Sequence, residues 1–213
     1  SLIPLSSGNT LLRCGPTKTV EFARYRCSMS LALRTDDSRF SGLPDWPYAP
    51  HYADPLPDHG GLRMHYVDEG PTDAPVFLCL HGEPTWAYLY RKMIPVFLES
   101  GARVVAPDFF GFGRSDKPAA RRDYTYQRHV DWMTAWLEAV DLSGITLVCQ
   151  DWGSLIGLRL AAENPGRFAR IFLANGGLPT GDRPGPVVFR IWQLFAPYSP
   201  WFPISRIIGT GWR

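Results

Sequence analysis

Two patterns of hydrophobic and polar residues alternate along the chain from Gly61 onward. Residues 62–67 alternate apolar and polar side chains, which is typical of a half-buried strand, and shorter continuous apolar runs predict buried strands. Between these runs lie longer stretches with apolar residues at helical spacing, some of them closed by glycine or proline. We therefore predict strands at 62–67, 76–80, 103–106, 145–149 and 171–174, and helices at 87–99, 126–140 and 153–164.

This succession of strands and helices predicts the α/β class, with a mostly parallel sheet and helices on both of its faces. After Asn175 the periodicity ends and glycine and proline recur, so residues 176–213 are interpreted as an excursion from the sheet. Residues 1–28 are rich in basic side chains and lack a compact apolar run, so they do not resemble a secretory signal. We interpret them as an upstream extension, with a weak organelle-targeting leader as the alternative. Residues 29–175 are then the N-terminal part of the core.

The composition excludes several classes of partner. The 213 residues are 45% hydrophobic and carry a net charge of +2, without a basic stripe, so nucleic acid is not an expected partner. The apolar runs are far shorter than the ~20 residues that cross a bilayer, so no membrane segment is expected. The four cysteines show no paired spacing, which favours a reducing, cytoplasmic setting over disulfides or a metal site. The tract Gly111-Phe112-Gly113 lacks the rest of a dinucleotide fingerprint, so no cofactor is expected.

The clearest chemical signal is an aspartate at the end of a predicted buried strand. Residues 147–153 run from that strand directly into a predicted helix, which places Asp151 at a sharp turn of the kind called a nucleophile elbow. Cys149 and Gly153, two residues to either side, are small enough to permit the turn. The helix N-terminus favours the ionised carboxylate that a carboxylate nucleophile requires. An aspartate at this place is also an ordinary helix N-cap, and Ser154 is interpreted as a first-turn residue and not as a nucleophile.

Two further motifs follow the neighbouring predicted strands. They are His-Gly-Glu-Pro-Thr-Trp at residues 81–86 and Asp-Phe-Phe-Gly-Phe-Gly-Arg-Ser-Asp at residues 108–116. The first lies where hydrolases of this architecture place a backbone N–H for an oxyanion. Together with the elbow, these motifs resemble the haloalkane dehalogenase family of α/β-hydrolases over residues 36–175. The form of the first motif that contains Glu83 resembles the motif of the subfamily whose halide site uses two tryptophans.

The resemblance implies a hydrolase without cofactor or metal that acts on small halogenated alkanes, with water as co-substrate and halide as product. It implies that Asp151 displaces halide from an sp³ carbon and forms an alkyl-enzyme ester, which water hydrolyses to a primary alcohol. The backbone N–H groups of Glu83 and Trp152 would form the oxyanion hole, and the Trp152 indole would hold the halide. The second halide tryptophan is expected in a cap that begins at residue 176, where Trp192 is preferred to Trp201. The complete protein is expected to be a monomer.

The histidines depart from the family's pattern. Hydrolases of this fold present nucleophile, acid and histidine in that chain order, whereas all five histidines here precede Asp151. His81 belongs to the oxyanion turn, and the others are interpreted as solvated or structural. Asp182 lies where some subfamilies carry the acid, but its glycine- and proline-rich surroundings disfavour that role. We therefore expect a fragment or truncated gene product that lacks the catalytic histidine and acid.

Two other functions stay open at this point. An epoxide hydrolase also uses an elbow aspartate, but it needs two cap tyrosines, and only Tyr198 is available in residues 176–213. A truncated α/β-hydrolase relic that keeps the motifs without turnover is the non-enzymatic alternative.

Overall fold

The computed structural model describes residues 32–57, 59–177, 187 and 191 of the chain. The strands in this part are β1 (Ala32–Leu33), β2 (His51–Ala53), β3 (Met64–Glu69), β4 (Val76–Leu80), β5 (Arg103–Pro107), β6 (Lys117–Pro118), β7 (Ile145–Gln150) and β8 (Phe168–Ala174). The α-helices are α1 (Met93–Glu99), α2 (Tyr126–Val140) and α3 (Trp152–Glu163). No helix in this part of the chain is long and apolar enough to cross a bilayer. The predictions for residues 1–28 and for Trp192 lie outside the described residues.

Six of these strands form the main sheet, in the order β2-β3-β5-β4-β7-β8. The pairs β4–β5, β4–β7 and β7–β8 are parallel, whereas β3 pairs antiparallel with both β2 and β5. The predicted α/β class with a mostly parallel sheet is therefore confirmed. The pattern of the sequence does not predict β2 at the antiparallel edge, because its three residues are too few to establish a period.

The helices agree with the prediction except after the first motif. α2 has the predicted bounds, and the Thr125 side chain caps it by accepting a hydrogen bond from the Arg128 N–H at 3.2 Å. The helix predicted at 87–99 divides into a 3₁₀ turn at Ala87–Tyr90 and α1. Pro95 explains the division, because proline lacks an N–H and its ring clashes with the carbonyl four residues earlier. It therefore fits only the first turn of an α-helix.

Alternation along the central strands places a core on each face of the sheet. In β4, Leu78 and Leu80 belong to one core and Cys79 to the other, and all three are buried. The first core includes residues of α2 and α3, among them the fully buried Trp136. The second includes α1 through Ile94. Burial on both faces explains why these strands have continuous apolar sequences.

The parallel strands bring three connections to one edge of the sheet. β4, β5 and β7 are neighbours with the same direction, so their carboxyl ends lie side by side. The two motif loops, 81–86 and 108–116, follow β4 and β5, and the turn at Asp151 follows β7. Ligands of open α/β sheets bind at this kind of edge.

Candidate active site

Asp151 occupies the turn between β7 and α3, and its backbone is strained. Its φ of 50° and ψ of −127° lie outside the left-handed helical region, which Asp141 adopts after α2 with φ and ψ both 51°. A residue held in such a sparsely populated region costs about 1–3 kcal/mol. The Asp151 carbonyl accepts hydrogen bonds from the Ser154 N–H at 3.0 Å and from its hydroxyl at 2.5 Å. Ser154 is thus a first-turn residue that stabilises the elbow.

The side chain of Asp151 does not cap α3. It makes no hydrogen bond to the first turn of that helix, in contrast to Thr125 at the start of α2. Its Oδ1 instead accepts a hydrogen bond from the Glu83 N–H at 2.9 Å, from a residue 68 positions away in the sequence. No further hydrogen bond joins the carboxylate to the described residues. The interpretation of Asp151 as an ordinary N-cap is therefore wrong.

Two glycines allow the oxyanion loop and the elbow to approach each other closely. A Cβ added to Gly153 would lie 2.3 Å from the Leu80 carbonyl oxygen. A Cβ added to Gly82 would lie 2.5 Å from both Cβ and Oδ1 of Asp151. Real Cβ atoms do not approach other atoms this closely, so a side chain at either position would separate the two segments.

A cavity of about 330 Å³ is lined in part by Gly82, Glu83 and Trp152, which adjoin Asp151. Aromatic side chains dominate its lining, namely Phe109, Phe112, Tyr124, Tyr126 and Trp152. Trp152 remains 40% exposed, so its indole is available to a ligand. Glu83 also lines the cavity, and desolvation, followed by the charge of Asp151, raises the pKa of its carboxyl. A mostly apolar pocket beside an unpaired carboxylate oxygen suits a small apolar substrate with one reactive carbon.

His129 is one of the cavity residues that the sequence pattern did not single out. It lies in the first turns of α2 and lines the cavity, where burial, and next the nearby His81, lower its pKa to about 4. The imidazole is therefore neutral at ordinary pH. The spacing of three residues between Tyr126 and His129, which puts both side chains on one face of the helix, was a signal for this placement.

A buried pair of side chains holds the two motif loops together. Asp108 Oδ2 accepts hydrogen bonds from His65 Nδ1 at 2.8 Å and from the Arg114 N–H at 2.8 Å, and its Oδ1 accepts one from the Ala87 N–H at 2.9 Å. Burial is the largest influence and opposes ionisation of Asp108, but the favourable interactions, led by the charge and hydrogen bond of His65, together outweigh it, so the carboxyl pKa lies below its usual value. His65 is buried, in agreement with its structural interpretation.

We expect Asp108→Asn to lower the free energy of unfolding by about 3 kcal/mol at pH 7, because it breaks a buried pair. A carboxyl group whose folded-state pKa is depressed stabilises fully above its unfolded value of about 4, and this stabilisation declines as the pH falls below that value. The difference between wild type and variant should therefore shrink on acidification, as measured by urea unfolding at several pH values. Asp37→Asn, at an exposed surface ion pair, is the control and should cost under about 1 kcal/mol. A difference that is constant down to pH 3 would contradict this account.

The structure brings three of the four predicted site residues to one place. Glu83 and Trp152 line the cavity, and Asp151, which precedes Trp152 in the chain, accepts a hydrogen bond from the Glu83 N–H. No hydrogen bond from the backbone N–H of Trp152 to the Asp151 carboxylate is found among the described residues. Trp192 lies outside that part of the chain.

The fold and the elbow define an α/β-hydrolase, and the comparisons with known proteins agree. The model of the family described as "alpha/beta hydrolase fold" matches residues 75–203, so the chain belongs to this family.

Within the family, the similarity to haloalkane dehalogenases that the motifs predict is confirmed. The chain is 57% identical over 180 residues to a haloalkane dehalogenase from Mycolicibacterium paratuberculosis, a match that covers 84% of this chain and 60% of that protein. The tetrameric haloalkane dehalogenase DpaA from Paraglaciecola agarilytica superimposes with a TM-score of 0.75 at 43% identity, covering 84% and 60% of the two chains. An epoxide hydrolase from Vigna radiata follows with a TM-score of 0.58 at 26% identity, covering 70% and 46%. The chain thus spans about 60% of the length of the curated relatives that it matches.

Proposed function

We propose that these 213 residues carry the alkylation half of a haloalkane hydrolysis to alcohol and halide, which proceeds through an alkyl-enzyme ester on Asp151. One observation carries the proposal: the carboxylate at the strained elbow does not cap its helix but faces the loop of Glu83, next to an apolar cavity. A structural aspartate would gain its hydrogen bonds from the helix. The strain and the missing cap therefore favour a reactive group.

The hydrogen bond from Glu83 assigns different roles to the two carboxylate oxygens. Oδ1 of Asp151 is held by the Glu83 N–H, and Oδ2 is left to attack the substrate carbon. As the new C–O bond forms, the carbon–halogen bond breaks and its electron pair leaves with the halide. Oδ1 then becomes the carbonyl oxygen of the ester. When water adds to the carbonyl carbon of the ester, Cγ of Asp151, negative charge develops on Oδ1, where the Glu83 N–H donor is already in place.

We propose Trp152 as a ligand of the leaving halide and Trp192 as the second. The indole N–H is a donor without acceptor character, which suits an anion that leaves water for an apolar cavity. The backbone N–H of Trp152 is proposed to join the backbone N–H of Glu83 in the oxyanion hole. In the same proposal residues 29–175 form the N-terminal part of the core, and the cap begins at residue 176.

Epoxide hydrolysis is the second candidate, because the chain is also similar to an epoxide hydrolase. Opening of an epoxide leaves an alkoxide on the substrate, which needs an acidic hydroxyl group in place of a halide site. Of the tyrosines at the cavity, Tyr126 already donates its hydroxyl proton to the Leu155 carbonyl at 2.9 Å. The proposed pair of tryptophans, Trp152 and Trp192, favours the halide.

The test is to incubate the chain with a short bromoalkane and, separately, with the epoxide of equal carbon number. We expect one alkyl group on the peptide that contains Asp151 and one bromide released per chain, as measured by peptide mass mapping and halide titration. The epoxide should give no adduct. Labelling by the epoxide alone would favour the second candidate, and a folded chain that reacts with neither reagent would overturn the proposal in favour of a non-catalytic relic.

Trp152→Phe is expected to slow alkylation about tenfold to a hundredfold. A hydrogen bond to a charged group contributes about 1.5–3 kcal/mol, and the substitution removes the indole N–H from the leaving halide. The rate constant should be measured by intact mass spectrometry at saturating bromoalkane. Trp46→Phe is the matched control, because Trp46 packs on Trp86 outside the cavity lining. Equal rates for the two variants would remove Trp152 from the halide site.

A further inference from the structure

We infer that His81 is a positioning residue: its imidazole, neutral and protonated on Nδ1, holds the peptide bond between Gly82 and Glu83 so that the Glu83 N–H faces Asp151. The hydrogen bonds of His81 do not depend on the proposed function, whereas their consequence for the reaction rests on it. His81 lies at the end of β4 and has no exposed surface.

The partners of the imidazole determine its protonation state. The Phe109 N–H donates to His81 Nε2 at 3.0 Å, so Nε2 carries no proton. The Gly82 carbonyl oxygen lies 2.9 Å from Nδ1, and because a carbonyl only accepts, Nδ1 must carry the proton. An imidazolium would direct a second donor at the Phe109 N–H. His81 therefore fits its surroundings only as one neutral tautomer.

The charges around His81 are consistent with a neutral ring. Burial lowers its pKa, and this effect exceeds the opposing influence of Asp108, the Gly82 carbonyl and Asp151. His129, the other titratable group close to it, is neutral for the same reason. The ring also packs against Phe109 with 4.5 Å between centroids and against Phe112 with 5.5 Å.

Three hydrogen-bond donors hold the carbonyl oxygen of Gly82. It accepts from His81 Nδ1, from the Thr85 N–H at 3.0 Å and from the Thr85 hydroxyl at 2.8 Å. In a planar trans peptide the C=O and the following N–H point in opposite directions. Fixing the carbonyl therefore directs the Glu83 N–H toward Asp151 Oδ1.

Through its two nitrogens His81 also joins two loops that come from different strands. Nδ1 contacts the loop after β4, and Nε2 contacts Phe109 in the loop after β5. Rotation of the ring would release both contacts together. Because the Glu83 N–H is the donor found on the carboxylate in the described part of the chain, this rotation would leave Oδ1 without its partner.

Nuclear magnetic resonance tests the arrangement without any reaction. In the ¹⁵N-labelled chain we expect a protonated Nδ1 and an unprotonated Nε2 for His81, and a Glu83 amide signal that shifts when Asp151→Asn is introduced. In His81→Ala the Glu83 signal should move upfield and lose its response to Asp151→Asn. A charged ring, the opposite tautomer or an unchanged response in His81→Ala would overturn the inference.

Alkylation kinetics test the consequence. With a bromoalkane as the probe, His81→Ala should lower the saturating rate constant about tenfold to a hundredfold, as misplaced groups do, and change the half-saturating concentration less than about twofold. His81→Asn places an amide N–H at the position of Nδ1 and should recover most of the rate, whereas His81→Gln should not. His51→Asn, at an exposed histidine of β2, is the matched control and should leave the rate unchanged.

The outcomes separate the two claims. If the wild-type chain is not alkylated, the proposed function fails and the resonance experiment still decides the role of His81. If the His81→Ala protein does not fold, the pair His81→Asn and His81→Gln decides, and equal rates for these two would overturn the inference. A loss of thermal stability in His81→Ala with an unchanged rate would do the same, because it would show a merely structural residue.

Discussion

Replacement of Asp151 by asparagine is expected to abolish alkylation by a bromoalkane. An amide carries no negative charge and cannot displace bromide from an sp³ carbon, so the adduct should fall below detection. The measurement is peptide mass mapping after incubation with the same bromoalkane. On long incubation, deamidation of the variant restores the carboxylate, and the adduct should then appear with a lag.

The controls for this experiment distinguish a reactive carboxylate from general surface labelling. Asp131→Asn removes a carboxylate from the exposed side of α2, where it pairs with Gln127, and should leave the rate unchanged. When these 213 residues are tested by themselves the ester is expected to accumulate, because all five of their histidines precede Asp151, whereas the base of this fold follows the nucleophile. Equal labelling of several carboxylates, with Asp151 one among them, would contradict its assignment as the nucleophile.

The sequence predicts the parts of the fold that depend on local pattern. α2 has its predicted bounds because Thr125 caps it and its apolar spacing is regular. The central strands are recognised because burial on both faces gives them continuous apolar sequences. The elbow is predicted for a related reason: a buried strand that ends at Asp151 and passes directly into a helix leaves little room for any other connection.

The contacts that make the site reactive could not be predicted in this way. The hydrogen bond from Glu83 to Asp151 joins residues 68 positions apart, and its geometry depends on the order of the strands in the sheet. The tautomer of His81 depends on Phe109, which belongs to another loop. A periodic pattern reports which face of an element is buried, but not which polar atoms meet at the ends of the strands.

Strain and close approach act together at this site. The elbow holds Asp151 in a costly backbone conformation, and the loop after β4 lies against it without a side chain at Gly82. The carboxylate is therefore fixed from two sides before any substrate arrives. Such preorganisation is what allows a weak nucleophile to react, because the reacting atoms are held in place in advance.

Gly82→Ala is accordingly expected to slow alkylation at least about a hundredfold, because it displaces the carboxylate from its position. The new Cβ would lie 2.5 Å from Cβ and Oδ1 of Asp151, and this short side chain cannot rotate away from a contact at its own Cβ. The loop must then move, and the Glu83 N–H loses its acceptor. Saturation kinetics with the bromoalkane should show the loss in the rate constant, and circular dichroism should show an unchanged fold. Gly166→Ala, where an added Cβ has nothing within 4 Å, is the matched control and should react as the wild type does. A wild-type rate in Gly82→Ala would mean that the contact between the oxyanion loop and Asp151 does not position the nucleophile.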